Sequence, residues 1–359
     1  MDHTYCVIMA GGKGERFWPL STRTVPKPYV RLLGDRTMIQ MTVDRVRRLL
    51  PPERIFVVIT KDHVRVAMEQ LAELPRENII VEPAGRDTAP CVGFTAVMLM
   101  RQDPSAIMVV LPADHYIPDP ERFLDALSQA VTCARSGDLV TIGIRPSRPE
   151  TGYGYIEASG AANPGPQGSC FRVSRFVEKP DATEAARYLA DGRFYWNSGI
   201  FVWQARALID GIQAHMPGLF GGLMKIKEAM ASGDKRKTAR IFRGLERISI
   251  DYGLMEKADN VLMIPGAFIW DDVGTWGSLL RVFPGDEYGN YVRGDALCID
   301  TQDSIVFGDG ITVGAIGLSN LVVIASKAGV LVADRRRDQE TRKIASRLEG
   351  RRTGKGKGR

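Results

Sequence analysis

No run in this chain approaches the ~20 apolar residues that a membrane-spanning helix needs, so a transmembrane helix is excluded. The opening Met1-Asp2-His3-Thr4-Tyr5 has no basic region ahead of an apolar stretch, and no cleaved signal peptide is expected. Cysteine is scarce: five residues, at 6, 91, 133, 170 and 298, stand singly with no Cys-x-x-Cys pair. That argues against a disulfide frame and for reduced thiols in a cytoplasmic protein. The four histidines pair with neither one another nor a cysteine, which speaks against zinc. Internal repeats are absent too. What remains is a chain of 359 residues, 44% hydrophobic and 25% charged, the balance of a soluble globular protein of roughly two domains.

The formal net charge of +6 suggests nucleic acid, but its distribution does not. Residues 335–359 hold 11 basic and 3 acidic side chains, which leaves 37 basic and 39 acidic over the first 334. The excess belongs to the tail. Its end, from Arg351 to Arg359, has no apolar side chain, so a solvated, disordered tail at 341–359 is expected rather than a nucleic-acid or membrane arm.

Apolar strands alternate with helical patterns along the first 144 residues. Strands are expected at 5–10, 55–60, 79–81, 106–111 and 139–144, and helices at 37–50, 62–74, 89–101 and 121–135, with Thr37 as a cap. That alternation implies an α/β sheet, mixed but mostly parallel and Rossmann-like, with both faces covered. In such sheets ligands collect at the carboxyl ends of strands, where the strand order reverses. Residues 145–204 have shorter, less regular strands and read as an insertion covering the sheet. Near 283–286 the helical pattern stops, and short β pieces with Gly and Asp between them follow. The expected domains are a catalytic unit at 1–285, a small β unit at 286–340 and the tail.

Two strand-end loops stand out. The first, Gly11-Gly12-Lys13-Gly14-Glu15-Arg16-Phe17-Trp18-Pro19, has glycines that let backbone N–H groups approach a phosphate, with Lys13, Arg16 and Lys27 adding charge. It is neither a Gly-x-Gly-x-x-Gly fingerprint nor a P-loop, and a plain glycine-rich turn remains open. The second, Pro112-Ala113-Asp114-His115, offers a carboxylate for a divalent cation, as does Asp271-Asp272 far along the chain. Helix or turn caps explain either equally well. His115 suits holding the turn. Glu82-Pro83-Ala84-Gly85-Arg86-Asp87-Thr88-Ala89-Pro90 opens a helix and is either a base-binding loop or a simple N-cap. Glu157, Glu178, Lys179 and Asn197 are isolated polar groups among apolar ones, suited to a sugar phosphate or to structural hydrogen bonds.

These stretches, together with Gly152-Tyr153-Gly154, Phe176-Val177-Glu178-Lys179-Pro180, Trp196-Asn197-Ser198-Gly199, Ser249-Ile250-Asp251-Tyr252, Met255-Glu256-Lys257 and Trp270-Asp271-Asp272-Val273-Gly274, occur in one order over roughly residues 5–335. In that order they resemble the sugar-nucleotide pyrophosphorylases, and within them the members that make GDP-mannose. The resemblance implies a nucleotidyltransferase core with a small C-terminal left-handed β-helix-like domain. It implies transfer of a guanylyl group from GTP to mannose 1-phosphate, with Mg²⁺. By the same resemblance Lys13, Arg16, Lys27 and Asp114 serve catalysis, and Ala10, Gly11, Gly12, Gly14, Glu82, Gly85, Thr88, Ala89 and Asp114 bind the nucleotide. Gly154, Glu178, Lys179 and Asn197 contact the sugar phosphate; Asp114 and Asp272 hold the metal. No nucleic acid or membrane partner is implied, and the short C-terminal strands suit a homodimer contact. The sequence departs from the family at Asp87, where Asn is usual, and at Pro28-Tyr29, where Gln-Phe is. A fused isomerase domain, common in the family, is not expected. Two other readings stand beside this one: a transferase for another sugar phosphate and nucleotide, and a silent sugar-nucleotide sensor.

Overall fold

The computed structural model describes residues 1–12, 14–165 and 168–352. Lys13, one of the loop candidates, and residues 353–359 of the tail lie outside the described residues.

Strand β1 (Thr4–Met9) begins an alternation through α1 (Met38–Val46), β2 (Ile55–Thr60), α2 (Val64–Gln70), β3 (Ile79–Glu82), α3 (Thr88–Gln102), β4 (Ile107–Pro112), α4 (Pro120–Ala134) and β5 (Leu139–Ile144). Successive side chains of a strand point to opposite faces, and here both faces are buried. Cys6 and Ile8 of β1 pack with α1, α2 and α4, whereas Val7 packs with α3 on the other side. Helix α1 starts where expected: the Thr37 N–H donates to Gln40 Oε1 at 3.1 Å. Strands β3-β2-β1-β4 are parallel neighbours. The chain runs outward from β1 to β3, and α3 then carries it back across to β4, so strand order reverses between β1 and β4. Their carboxyl ends meet, with Met9 opposite Pro112.

Next come β6 (Gly154–Gly165), β7 (Gly168–Glu178), α5 (Ala182–Asp191), β8 (Phe194–Gln204), α6 (Ala205–His215), α7 (Pro217–Ala231), α8 (Lys235–Arg243), β9 (Val261–Gly266) and the short α9 (Leu279–Val282). The sequence pointed to an insertion covering the sheet. Instead β6, β7 and β8 belong to the sheet, whose order is β3-β2-β1-β4-β8-β5-β9-β7-β6. Strand β8 is antiparallel to both β4 and β5. Its Ile200, Phe201, Val202 and Trp203 are all buried, and a strand apolar on both faces has to be central. The sheet is therefore parallel in its first half and mixed in its second.

The C-terminal unit stacks β10 (Tyr291–Ile299), β11 (Ile305–Ile316) and β12 (Leu321–Ser326) in parallel, with Tyr291 beside Ile305 and Ile305 beside Val322. Antiparallel β13 (Gly329–Asp334) closes the stack. Such stacked coils make the unit β-helix-like. Residues 341–352, expected as disordered tail, form helix α10 (Thr341–Arg352). Thr341 is buried, Ser346 Oγ donates to Glu15 Oε2 at 3.4 Å, and α10 packs on the turn Glu15–Phe17. Docking of this kind orders a segment whose composition alone would leave it solvated. Among the described residues no helix is long and apolar enough to cross a membrane.

Candidate active site

The two loops singled out in the sequence leave the sheet side by side. Ala10 is buried and its N–H still donates to the Val58 carbonyl at 2.9 Å, so the chain departs at Gly11. Gly12 and Gly14 have φ of +103° and +60°. At Gly14 a Cβ would lie 2.6 Å from the Lys27 backbone nitrogen, so only glycine lets the Lys27 segment approach. From β4, the Ala113 N–H donates back to the Met9 carbonyl at 3.2 Å. Arg45 of α1 braces this second loop, donating to Thr42 Oγ1 at 2.8 Å and to the His115 carbonyl at 3.3 Å.

Lys27 stands between the two carboxylate segments. It is only 7% exposed, and its Nζ donates to the carbonyls of Asp114 at 3.1 Å and Asp272 at 2.6 Å. It also pairs with Asp114 Oδ2 at 2.9 Å and lies 5.6 Å from the Phe17 ring centroid. Burial works against charge on Asp114, but the neighbouring Lys27 ammonium, together with smaller contributions from its other neighbours, holds the carboxyl below its ordinary value. Backbone pairing of Tyr116 with Asp271 ties the two segments together across 155 residues of chain.

The adjacent aspartates differ. Asp271 is buried, receives Arg281 Nε at 2.9 Å and its second nitrogen at 3.1 Å, and caps the Val273 N–H at 2.7 Å. Asp272 accepts the Tyr153 hydroxyl at 2.6 Å through Oδ1. Burial lowers His115 to about 4, so its ring is neutral and Nδ1 accepts from Trp270 Nε1 at 3.1 Å. The ring holds the turn. A cavity of about 380 Å³ opens among Gly14, Arg16, Phe17, Lys27, Asp114 and Asp272, and Arg342 of α10 also lines it. The two carboxylates are hard oxygen donors that fit a divalent cation, with substrate oxygens left to complete the shell. Among the described residues no cluster of three His, Cys, Asp or Glu side chains could hold a metal.

A second cluster gathers Gly154, Glu178, Lys179 and Asn197. Gly154 lies opposite Glu178 in the β6–β7 ladder, and a Cβ there would strike Glu178 Oε2. Lys179 Nζ pairs with Glu178 Oε1. Asn197 donates to Asp251 Oδ1 at 2.9 Å and accepts the Gly199 N–H at 3.1 Å, so its amide is fixed. Burial, with the Glu178 charge, pushes Asp251 up to about 6. The Lys179 N–H donates to the Tyr153 carbonyl at 3.2 Å, while the Tyr153 hydroxyl reaches Asp272. Tyr153 thus links this cluster to the first.

The third group, Glu82, Gly85, Thr88 and Ala89, surrounds the start of α3. Asp87 (φ +72°) caps that helix, its Oδ1 accepting the Thr88 N–H at 2.9 Å. Capping requires one side-chain oxygen, which Asp and Asn both supply, so the departure at Asp87 keeps the loop's geometry. Thr88 Oγ1 accepts the Ile250 N–H at 2.8 Å, which joins this loop to Asp251 of the second cluster. Burial raises Glu82 to about 7, and its Oε1 has no hydrogen-bond partner among the described residues. The first and third groups lie beyond the carboxyl ends of β1, β4 and β3; in the second, Glu178 ends β7, whereas Gly154 begins β6 and Asn197 lies in the first half of the antiparallel β8. Sequence reasoning gave no role to Tyr153 or Asp251, though both lie in quoted motifs, and Arg342 lay in the expected tail with no signal at all.

The description "Nucleotidyl transferase" matches residues 5–288, and "MannoseP isomerase/GMP-like beta-helix domain" matches residues 294–348. The alginate biosynthesis protein AlgA of Pseudomonas syringae is 38% identical over 346 residues, covering 95% of this chain and 71% of that protein. A mannose-1-phosphate guanylyltransferase of Klebsiella pneumoniae is 38% identical over 347 residues, covering 96% of this chain and 73% of its own length. Among solved structures, one described as a mannose-1-phosphate geranyltransferase from Thermus thermophilus superposes with a TM-score of 0.86 at 36% identity, covering 97% of this chain and 99% of that one.

Proposed function

This chain belongs to the nucleotidyl transferase family, and from that premise we propose that it transfers a guanylyl group from GTP to mannose 1-phosphate, giving GDP-mannose and pyrophosphate. The observation that carries the reading is the buried Lys27 ammonium bound to both Asp114 and Asp272 beside a glycine loop, at the sheet's switch point.

The sugar phosphate is already an anionic nucleophile, so the reaction needs no general base. Its oxygen attacks the α-phosphorus in line, and pyrophosphate leaves on the far side. The protein has to hold two mutually repelling anions and neutralise the charge gathering on the phosphoryl oxygens. Lys27 is suited to this because its position is fixed before substrate arrives. Arg16, Lys13 and the N–H groups of Ala10, Gly11, Gly12 and Gly14 would hold the triphosphate. Asp114 and Asp272 would hold a divalent cation, Mg²⁺ in this reading, which when bound neutralises phosphate charge as a Lewis acid. Glu82, Gly85, Thr88 and Ala89 would meet guanine. Lys179 would take the sugar phosphate's phosphoryl group, with Gly154, Glu178 and Asn197 on the sugar. We place the reaction in the cytoplasm, with neither nucleic acid nor membrane as partner. A homodimer would cover Leu297, Ile299 and Ile316, which are exposed on β10 and β11.

Pyrophosphate release with Mg²⁺, measured for each of four NTPs against mannose 1-phosphate and glucose 1-phosphate, tests the reading. Release confined to GTP with mannose 1-phosphate is expected. Turnover with a different pair moves the specificity, and binding without turnover makes the chain a sensor instead.

A further inference from the structure

Helix α10 is part of the C-terminal unit, yet it presents a side chain to the cavity of the first cluster. The segment is fixed on both sides. Upstream, the buried Asp338 accepts the Gly277 N–H at 2.6 Å, anchoring the turn Arg335–Glu340 to the turn Trp276–Ser278, just beyond Asp272. Thr341 follows and is 2% exposed. One helical turn downstream of Arg342, Ser346 bonds Glu15 in the glycine loop. Arg342, between these anchors, lines the cavity with Gly14, Arg16, Lys27, Asp114 and Asp272.

Its place in the cavity sets this guanidinium apart from the other exposed arginines of the tail; Arg347 likewise has no ion-pair partner among the described residues but does not line the cavity. Arg336 and Arg337 pair with Asp334 and Glu340. Arg342 has no hydrogen-bond or ion-pair partner among the described residues, although it lines a cavity that three carboxylate residues, Glu15, Asp114 and Asp272, also line. A guanidinium left unpaired in a rigid setting is a ready acceptor of phosphate oxygens, because its planar fork binds them in pairs.

We infer that Arg342 binds the β- and γ-phosphates of the nucleotide, and the departing pyrophosphate, making the C-terminal helix part of the active site. The position of the cavity selects this end of the substrate. It is built on the glycine loop, and none of Gly154, Glu178, Lys179 or Asn197 lines it. The inference rests on the proposed pyrophosphorylase reading, since it takes the cavity as the triphosphate site.

Steady-state kinetics of the full chain in both directions tests it, with Arg342→Ala and Arg342→Lys compared with the wild type. Arg342→Ala is expected to raise KM for GTP and, in the reverse reaction, for pyrophosphate by about 10- to 100-fold, the loss that goes with one hydrogen bond to a charged group. KM for mannose 1-phosphate should stay within about twofold, because that substrate binds elsewhere. Arg342→Lys should recover part of the loss, keeping the charge without the fork. An unchanged melting temperature in Arg342→Ala separates lost binding from lost folding. Wild-type constants for GTP and pyrophosphate in Arg342→Ala would overturn the inference and leave the functional reading standing. A parallel rise in all three KM values with a lowered melting temperature would also overturn it, as the mark of a structural role. A wild-type enzyme that releases no pyrophosphate from any nucleotide would instead sink the functional reading, and the inference with it.

Discussion

Asp271 and Asp272 are neighbours of identical chemistry, and their surroundings give them opposite duties. Both Asp271 oxygens are spent on Arg281, and one also takes the Val273 N–H. Among the described residues the Asp272 carboxylate meets only a tyrosine hydroxyl, through Oδ1, and its backbone carbonyl, not its carboxylate, holds Lys27. Asp271→Asn should therefore destabilise the fold by about 2 kcal/mol, because a partly buried guanidinium loses its charged partner. Its kcat should stay close to wild type below the melting transition. Asp272→Asn should fold normally, since an amide oxygen still accepts from Tyr153, and lose about 10²–10³ in kcat, the effect of removing one electrostatic stabiliser. Denaturant unfolding and pyrophosphate release on the same samples check both. The assignment of duties fails if Asp272→Asn turns over normally or if Asp271→Asn leaves the unfolding midpoint in place.

Where β3 ends and α3 begins, a strand and a helix share one short loop, and Glu82 sits at the buried side of that junction. Its ordinary value of 4.5 is raised to about 7 by burial, the Cys91 thiol opposing only part of the effect. Between those values the folded chain keeps a proton that the unfolded chain has released. Stability from this residue is thus greatest below about pH 4.5 and falls as pH rises through about 7, by about 3 kcal/mol in all. Glu82→Gln should remove that slope, so the variant gains on wild type between pH 5 and pH 8 in denaturant titrations. Parallel curves would mean that the Glu82 carboxyl ionises freely in the fold. The elements themselves were largely legible in the sequence, because apolar periodicity and caps such as Thr37 are local. Strand β8 was not: its apolar run shows that it is buried on both faces but not that it pairs between β4 and β5. Tyr153 was missed for a like reason. Its bond to Asp272 spans 119 residues, and nothing near it in the chain points to that partner. Helix α10 was read as tail because its polar composition gives no hint of the turn it docks on.

Across the whole molecule, the C-terminal coils share a core with the loop that opens the active site. Phe17, Leu20 and Trp276 belong to one buried cluster with Tyr291, Ile305, Phe307, Val322, Ile324 and Leu331. Polar contacts reinforce the joint: Arg293 donates to the carbonyls of Leu32 at 2.6 Å and Gly34 at 2.7 Å, and Ser326 to that of Pro19 at 3.1 Å. Gly329 must be glycine, because a Cβ there would lie 2.7 Å from the Trp18 ring. An interface this apolar and this well packed couples the two units energetically, unlike a polar inter-domain contact that opens freely. The glycine loop is then only as ordered as the coils beneath it. Ile324, fully buried in β12 and remote from every candidate substrate contact, offers the test. Ile324→Ala should cost about 2–4 kcal/mol through the cavity it leaves. Because the core is common, tryptophan fluorescence, which reports five tryptophans outside the coils with Trp18 and Trp276 beside the loop among them, should shift together with far-ultraviolet circular dichroism, which reports the whole chain. If part of the dichroism signal melts early in the variant while fluorescence is unmoved, the coils, which hold no tryptophan, are an independent unit and the glycine loop does not depend on them.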